Sequence, residues 1–239
     1  MSDQSTVYLI PCFLDENAIQ TIPSYVKEAV MQCQVFFVEN ERSARRYLKM
    51  LWKEIVIDDY EWIVIHKAEK DVRVRLMVAM KEGKNIGIIS EAGCPGIADP
   101  GQLLVETAHK GGAVVKPLVG PSSILLALMA SGMNGQQFRF AGYIPIDSGE
   151  RAKFVRELES ESVRRNSTQV FIETPYRNNH VTEMLIKTCR PDTRLCIAAD
   201  LTGPGEFIKT LSIAEWKTQV PDLHKRPVIY CLMAAESIA

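Results

Sequence analysis

The stretch Ser90-Glu-Ala-Gly-Cys-Pro-Gly-Ile-Ala-Asp-Pro-Gly101 follows a short apolar run and precedes a segment with helical periodicity. A turn between a buried strand and a helix lies at the carboxyl edge of an open α/β sheet, where ligands bind. Gly93 and Gly96 carry no Cβ, so a ligand can approach the backbone N–H and C=O groups of the loop. The loop lacks the G-x-G-x-x-G and Walker A patterns, and its Glu91 and Asp99 argue against a phosphate cradle. We therefore expect a backbone clamp for a nucleoside or cationic ligand, with a purely structural turn as the alternative.

Apolar runs alternate with helix-period segments on both sides of this loop, which is typical of βαβ units and a parallel sheet. The strands expected in the first half are Thr6–Pro11, Val35–Glu39, Ile55–Ile57 with Trp62–Ile65, Asn85–Ile89 and Ala113–Pro117. The helices expected between them are Ile22–Gln32, Ser43–Lys53, Asp71–Glu82 and Gly101–Gly111, with C-terminal caps at Gly83 and Gly111. Nearly all of these strands are apolar on both faces, as a sheet covered by helices on each side requires.

The pattern changes at Pro117–Ser123, where Pro, Gly and Ser interrupt the apolar periodicity. We expect two α/β domains, residues 1–118 and 119–239. After an apolar helix that ends at Gly132, the second should contain the strands Phe138–Gly142, Thr168–Ile172, Arg194–Ala198, Glu206–Leu211 and Pro227–Met233 and the helices Glu150–Glu161, Pro175–Cys189 and Ile213–Gln219. Because the turn Thr202–Gly205 joins two strands directly, part of this sheet should be antiparallel. The predicted fold class is α/β, with a mostly parallel N-terminal sheet and a mixed C-terminal sheet.

The composition excludes several classes of protein. The 239 residues are 46% hydrophobic and 24% charged, as is ordinary for a globular protein. The net charge of -1 means that any binding to RNA must use local basic patches. Six cysteines without a C-x-x-C pair, together with only four histidines, argue against zinc and against a disulfide framework. No apolar run is long enough to span a bilayer. We expect a cytoplasmic protein that binds no metal and no membrane.

Four further segments join Ser90–Gly101 in an ordered series of motifs. They are Val38–Arg46, Gly120–Ser123, Phe138–Arg151 and Glu173–Arg177. Together the five segments resemble the motifs of the tetrapyrrole methylase superfamily of S-adenosylmethionine-dependent methyltransferases, and within it the branch that methylates a ribose in small-subunit ribosomal RNA. That branch has Ser-Asp-Ala-Gly-Thr-Pro-Gly-Ile-Ser-Asp-Pro-Gly at the first loop and Glu-Ser-Pro-His-Arg at the last segment. The resemblance covers residues 6–233.

The resemblance implies a homodimer of two-domain subunits, with S-adenosylmethionine in the cleft between the domains and held largely by the backbone. The positions that match the family's cofactor-binding residues are Pro11, Ser90, Glu91, Ala92, Gly93, Cys94, Ile97, Ser122, Ser123, Ala199 and Leu201. The implied macromolecular partner is ribosomal RNA or the small ribosomal subunit. The chain departs from the family pattern in Cys12–Glu16, which lacks a glycine, and at Asn40, Ser43 and Tyr176, which replace Asp, His and His.

Transfer of a methyl group to a hydroxyl requires alignment and a proton acceptor. Glu39, which matches the family's glutamate at the end of the second strand, is the first candidate for the acceptor, and a plain role at a helix N-terminus is its alternative. Glu91 and Glu173 are the other catalytic candidates. The substrate-binding candidates are the arginines of two basic segments and of the last motif, Arg42, Arg45, Arg46, Arg151 and Arg177, although a charged helix face is often only solvated.

Three functions therefore stay open at this point. The main hypothesis is 2′-O-methylation of a ribose in small-subunit ribosomal RNA. The alternative is methylation of a tetrapyrrole, such as a precorrin, or of another small molecule, which a cleft without basic walls would favour. A non-catalytic relative that binds the cofactor or RNA is the third, because Asn40, Ser43 and Tyr176 depart from the family pattern.

Overall fold

The computed structural model describes residues 4–65 and 69–234. The chain divides into two compact units between Ser122 and Ser123. This division lies at the end of the Pro- and Gly-containing stretch in which the sequence interrupts its apolar periodicity. Each unit contains one β-sheet in its described part.

The first unit is built on a parallel sheet. Its strands are β1 (Thr6–Ile10), β2 (Val35–Val38), β3 (Glu61–Val64), β4 (Ile86–Ile89) and β5 (Val114–Pro117), in the order β3-β2-β4-β1-β5. Its helices are α1 (Tyr25–Met31), α2 (Glu41–Leu51), α3 (Glu69–Lys81) and α4 (Gln102–Lys110). The paired strands run parallel, which confirms the expected sheet. Since the carboxyl ends of parallel strands meet at one edge, the loops after β1, β2, β4 and β5 are gathered there.

Apolar residues cover both faces of this sheet because successive side chains of a strand point to opposite faces. Phe36 and Val38 pack into one buried cluster with Tyr47 of α2, and Phe37 packs into a second cluster with Leu76 of α3. Each fully buried side chain of this size contributes about 1.5–3 kcal/mol. The two clusters hold β2 between β3 and β4 and thereby set the position of the loop that follows it.

The predicted strand at Ile55–Ile57 is wrong. Ile55 is buried but lies outside the strands, and Ile57–Asp59 forms a short 3-10 helix. Two consecutive aspartates favour a turn over a strand at this point. The indole N–H of Trp62 then donates to the carbonyl of Ile57 at 3.0 Å, so the segment folds back on β3.

The second unit contains a mixed sheet. Its strands are β6 (Phe138–Tyr143), β7 (Thr168–Ile172), β8 (Arg194–Ala199), β9 (Phe207–Ser212) and β10 (Val228–Met233), in the order β6-β7-β10-β8-β9. Its helices are α5 (Ser123–Ser131), α6 (Ser148–Arg165), α7 (Asn178–Thr188) and α8 (Ile213–Trp216). β6 and β7 are parallel and the other pairs antiparallel, which confirms the expected mixed sheet.

Side-chain caps explain why two helices begin earlier than their apolar periodicity predicts. α2 begins at Glu41 because the side chain of Asn40 accepts the backbone N–H groups of Arg42 and Ser43. α6 begins at Ser148 because Asp147 caps it in the same way. In the described ranges no helix is long and apolar enough to cross a membrane, and no group of three or more His, Cys, Asp or Glu side chains could hold a metal ion.

Candidate functional site

The loop Ser90–Gly101 leaves β4 and enters α4 in a conformation that depends on left-handed backbone angles. Gly93 and Gly96 have φ of +74° and +85°. The Asp99 carboxylate accepts hydrogen bonds from the backbone N–H groups of Gly96 at 2.9 Å and Gly101 at 2.7 Å. Burial raises the pKa of Asp99, and these two N–H groups partly offset the rise. The loop is therefore fixed by a side chain of its own.

Backbone and packing contacts join this loop to the segments that follow β1 and β5. The backbone N–H of Cys12 donates to the Gly93 carbonyl at 2.8 Å, and the Gly93 N–H donates to the Cys12 carbonyl at 3.1 Å. The Cys94 thiol donates to the Pro121 carbonyl at 3.5 Å. Gly120 packs so closely on Pro11 that a Cβ at position 120 would lie 2.1 Å from the Pro11 Cβ. The sequence candidates Pro11, Gly93 and Cys94 are thus brought together.

Two side chains from outside this loop, Glu39 and Ser43, bond to Glu91 within it. The backbone N–H of Glu91 donates to Glu39 Oε1 at 3.0 Å, and the Ser43 hydroxyl donates to Glu91 Oε1 at 3.0 Å. Glu39 therefore fixes the backbone of Glu91, while Ser43 orients its carboxylate. The carboxylate of Glu39 therefore bonds to the loop, while the side chain of Asn40 caps α2.

The carboxylate of Glu91 borders a cleft of about 140 Å³. Its lining residues are Cys12, Phe13, Ser43, Ala44, Arg46, Ser90 and Glu91. A site that encloses a drug-sized ligand usually measures about 300–1,000 Å³, so this part of the first unit has the size of one small group such as a sugar ring. Arg46 adds positive charge, and its guanidinium forms an ion pair with Glu16 at 2.5 Å, both side chains being more than half exposed.

The two thiols near the cleft are not activated. Burial raises the pKa of Cys12 to about 12, and the nearby charge of Glu91 adds to the rise. Burial also raises the pKa of Cys94. Since the thiolate is the nucleophilic form, these residues are packing groups at neutral pH.

The arginine candidates fall into different environments. Arg42 is exposed, whereas Arg45 forms an ion pair with Glu41 at 2.6 Å and lies 5.2 Å above the Trp62 ring. Arg151 is buried, and its Nε donates to the Pro145 carbonyl at 2.9 Å. Arg45 and Arg151 therefore support the protein's own structure, Arg46 is exposed but paired with Glu16, and Arg42 presents its charge to solvent.

In the second unit, Glu173 and Arg177 follow β7. The side chain of Glu173 is fully buried. Its Oε1 accepts hydrogen bonds from Nη2 of Arg177 at 2.6 Å and from the backbone N–H of Thr174 at 2.6 Å. Its Oε2 is buried without a hydrogen-bond partner in the described part of the chain. An unpaired buried oxygen of a carboxylate is costly, so a ligand or water at this point would be stabilised.

The remaining cofactor candidates lie at the ends of elements. Ser122 closes the first unit, and Ser123 is the first residue of α5. Ala199 ends β8 and is fully buried, and Leu201 follows it with little exposure. Ile97, in the main loop, is more than half exposed.

Ser43 and Asp99 organise the site, although neither was predicted from the sequence to have a role in it. The role of Asp99 could have been predicted from the sequence, because an Asp two residues before a Gly favours a hydrogen bond from the backbone to its side chain. The role of Ser43 could not, because its bond to Glu91 joins residues 48 positions apart. That contact exists only because β2 and β4 are neighbours in the sheet.

Known proteins resemble the chain in sequence. The family model of the tetrapyrrole (corrin/porphyrin) methylases matches residues 22–216. A ribosomal RNA small subunit methyltransferase I from Mesorhizobium japonicum is 30% identical over 167 residues, which cover 69% of this chain and 55% of that protein. The protein of the same name from Bacillus subtilis is 27% identical over 210 residues, 87% of this chain and 68% of that protein. The chain spans about half the length of several of these curated relatives.

Solved structures resemble the fold at low sequence identity. The crystal structure of diphthine synthase has a TM-score of 0.70 at 15% identity and covers 96% of this chain and 89% of its own. That of the methyltransferase CobJ has a TM-score of 0.64 at 16% identity, with 96% and 93% covered. These likenesses confirm the predicted α/β fold, and the family model matches well over half of the chain. The chain belongs to the tetrapyrrole (corrin/porphyrin) methylases.

Proposed function

We propose that the chain is an S-adenosylmethionine-dependent methyltransferase that methylates a ribose 2′-hydroxyl of small-subunit ribosomal RNA. The observation that carries the proposal is the cleft in the first unit, where Ser43 and Glu39 orient Glu91 beside the glycine-containing loop. The name of the curated relatives supports the choice of substrate.

The residues around the loop fit an adenosyl sulfonium. A Cβ at Gly96 would meet no atom within 4 Å, so the space beside its Cα is open to a ligand, while its N–H is bonded to Asp99. The carboxylates of Glu39 and Glu91 complement a positive charge. S-adenosylmethionine would supply an electrophilic methyl group on sulfur. The proposed binding residues are Pro11, Ser90, Glu91, Ala92, Gly93, Cys94, Ile97, Ser122, Ser123, Ala199 and Leu201.

The acceptor hydroxyl must lose its proton as it is methylated, so a group of the protein has to hold that proton. Glu91 is the best placed of the three glutamates, because its carboxylate borders the cleft and Glu39 instead holds the Glu91 backbone. The Ser43 hydroxyl donates to Oε1 of Glu91, so Oε2 is the oxygen proposed to accept the proton of a substrate hydroxyl. Glu173, in the second unit, is a further proposed contact for the cofactor or substrate.

RNA is the substrate class that the charges near the cleft favour. Arg46 lines the cleft and Arg42 is exposed on the same helix, one turn away. Guanidinium groups at this spacing suit neighbouring phosphates. The volume of the cleft suits a single sugar better than a macrocycle. We further propose that the enzyme is a cytoplasmic homodimer.

The test is methyl transfer from labelled S-adenosylmethionine to small ribosomal subunits by the wild-type chain and by Glu91→Gln. Loss of a proton acceptor should lower kcat by about 10²–10⁴-fold. Glu183→Gln is the matched control, because Glu183 is an exposed helical glutamate paired with Lys187; its kcat should stay within about twofold of wild type. Full kcat in Glu91→Gln would refute the assignment of Glu91, and transfer to a small acceptor instead of RNA would refute the substrate.

A further inference from the structure

Strained backbone is concentrated around the proposed cofactor loops. In the described ranges, five residues other than glycine have a positive φ. Asn166 is the left-handed cap of α6, and Ala98 lies in the loop after β4. The other three, Asp200, Thr202 and Lys225, lie at one edge of the second sheet, with φ of +49°, +69° and +62°. Strained residues persist only where neighbouring contacts hold them, and they cluster at functional sites.

Arg226 supplies those contacts for the loop Asp200–Gly205. Its Nε donates to Asp200 Oδ2 at 2.6 Å and its Nη2 donates to the Gly205 carbonyl at 2.7 Å. The guanidinium also lies 6.0 Å from the centre of the Phe207 ring, just beyond the loop. One side chain therefore binds the first and the last residue of the loop.

The backbone next to Arg226 holds a second loop. The Arg226 carbonyl accepts the side-chain N–H of Asn178 at 2.7 Å, and the backbone N–H of Lys225 donates to the Pro175 carbonyl at 3.1 Å. Pro175 and Asn178 lie just after Glu173. The segment 225–226 thus ties the loop after β7 to the loop after β8.

The loop held by Arg226 contains an unsatisfied group. The Thr202 hydroxyl oxygen is buried and has no hydrogen-bond partner in the described part of the chain. Its backbone N–H is used by Glu206 Oε2 at 2.7 Å. A buried hydroxyl without a partner, in a strained loop that follows Ala199 and contains Leu201, is consistent with a binding surface that a ligand completes.

We infer that Arg226 is a positioning residue that holds the loop Asp200–Gly205 in the conformation that binds the cofactor. The inference rests on the proposed function, because the loop is assigned to S-adenosylmethionine there. Without the Arg226 clamp the loop relaxes toward unstrained conformations, and the apparent affinity falls with the population of the competent one.

The experiment is calorimetric titration of the full chain with S-adenosylhomocysteine. Arg226→Gln removes the charge, whereas Arg226→Lys keeps a charge to pair with Asp200 but lacks the planar fork that also reaches the Gly205 carbonyl. Asp200→Asn removes the charge from the other partner, and Asn tolerates a left-handed backbone, so the loop conformation itself remains allowed. Arg165→Gln, which breaks an exposed pair with Glu161 on α6, is the control.

The dissociation constant should rise at least about tenfold in Arg226→Gln and Asp200→Asn, less in Arg226→Lys and within about twofold in Arg165→Gln, since a charge-assisted bond is lost in the first two. The stoichiometry should stay unchanged. A purely structural role would lower the stoichiometry and leave the dissociation constant as in wild type, and that result would overturn the inference. If Arg226→Gln does not fold, Asp200→Asn decides alone. Absence of binding to the wild-type chain would instead overturn the proposed function, and this inference with it.

Discussion

Gly120→Ala tests whether the contact between the ends of β1 and β5 shapes the cofactor loop. A Cβ at position 120 would lie 2.1 Å from Pro11 Cβ and 2.5 Å from Pro11 Cγ, where ordinary contacts are 3.4–4 Å. The Pro11 ring cannot rotate away, and the Pro11 carbonyl is held by the buried Tyr47 hydroxyl at 2.6 Å. The two segments must therefore separate by more than 1 Å, which typically costs about 1–3 kcal/mol for an overpacked site.

This displacement should reach the Cys94 region, because the thiol of Cys94 bonds the carbonyls of Gly120 and Pro121. If half or more of the cost falls on the binding-competent state, affinity for S-adenosylhomocysteine should fall by about 2–140-fold. Gly135→Ala is the matched control, since a Cβ at position 135 would meet nothing within 4 Å and Gly135 has no positive φ. Isothermal titration and thermal unfolding measure the two effects. Unchanged affinity and melting temperature in Gly120→Ala would refute the reasoning.

Two further predictions concern the arginines of α2 and the N-terminus of α6. Arg42→Ala should weaken binding to small-subunit RNA in a filter assay and leave the melting temperature unchanged. Arg45→Ala should instead lower the melting temperature by about 2–4 °C, because the variant loses roughly 1 kcal/mol of contacts with Glu41 and Trp62. A lower melting temperature in Arg42→Ala, with weaker RNA binding in Arg45→Ala, would contradict the exposed position of Arg42 and the packed position of Arg45. Asp147→Ala should destabilise the protein most at neutral pH. The backbone N–H groups of Glu150 and Gly149 bond to the Asp147 carboxylate and lower its pKa in the folded protein. The carboxylate therefore stabilises α6 fully above the ordinary Asp pKa of about 3.9, and this stabilisation is lost as the pH falls through the lower pKa of the folded state. A melting-temperature difference that grows on acidification to pH 3 would contradict this.

The sheet order of the first unit determines which parts of the site the sequence can predict. The glycine-containing loop, the parallel strands and the turn at Thr202–Gly205 follow from local patterns, and the structure confirms the sheets built from them. The Glu39–Glu91 bond joins residues 52 positions apart and depends on β2 lying beside β4. No local sequence pattern predicts that β2 and β4 are neighbours in the sheet. The clamp of Arg226 on Asp200, across 26 positions, has the same origin.

The failed prediction at Ile55–Ile57 has a different cause. A short apolar run fits an unpaired buried segment as well as a strand, and only partners distinguish the two. Ile55 is buried in the core under α2 without entering the sheet. The burial of Arg151, a candidate for substrate binding, against the carbonyls of Pro145 and Ile146 was likewise not visible in the sequence. Burial of a charged side chain against its own backbone cannot be read from its spacing.

The most direct test of the central claim is the position of a labelled methyl group. Small ribosomal subunits are incubated with the chain and methyl-labelled S-adenosylmethionine, and the ribosomal RNA is hydrolysed in alkali. A methylated 2′-hydroxyl blocks cleavage at its own phosphodiester, so the label should appear in an alkali-resistant dinucleotide. Label in mononucleotides would indicate methylation of a base, and the absence of label in RNA would contradict the proposed substrate.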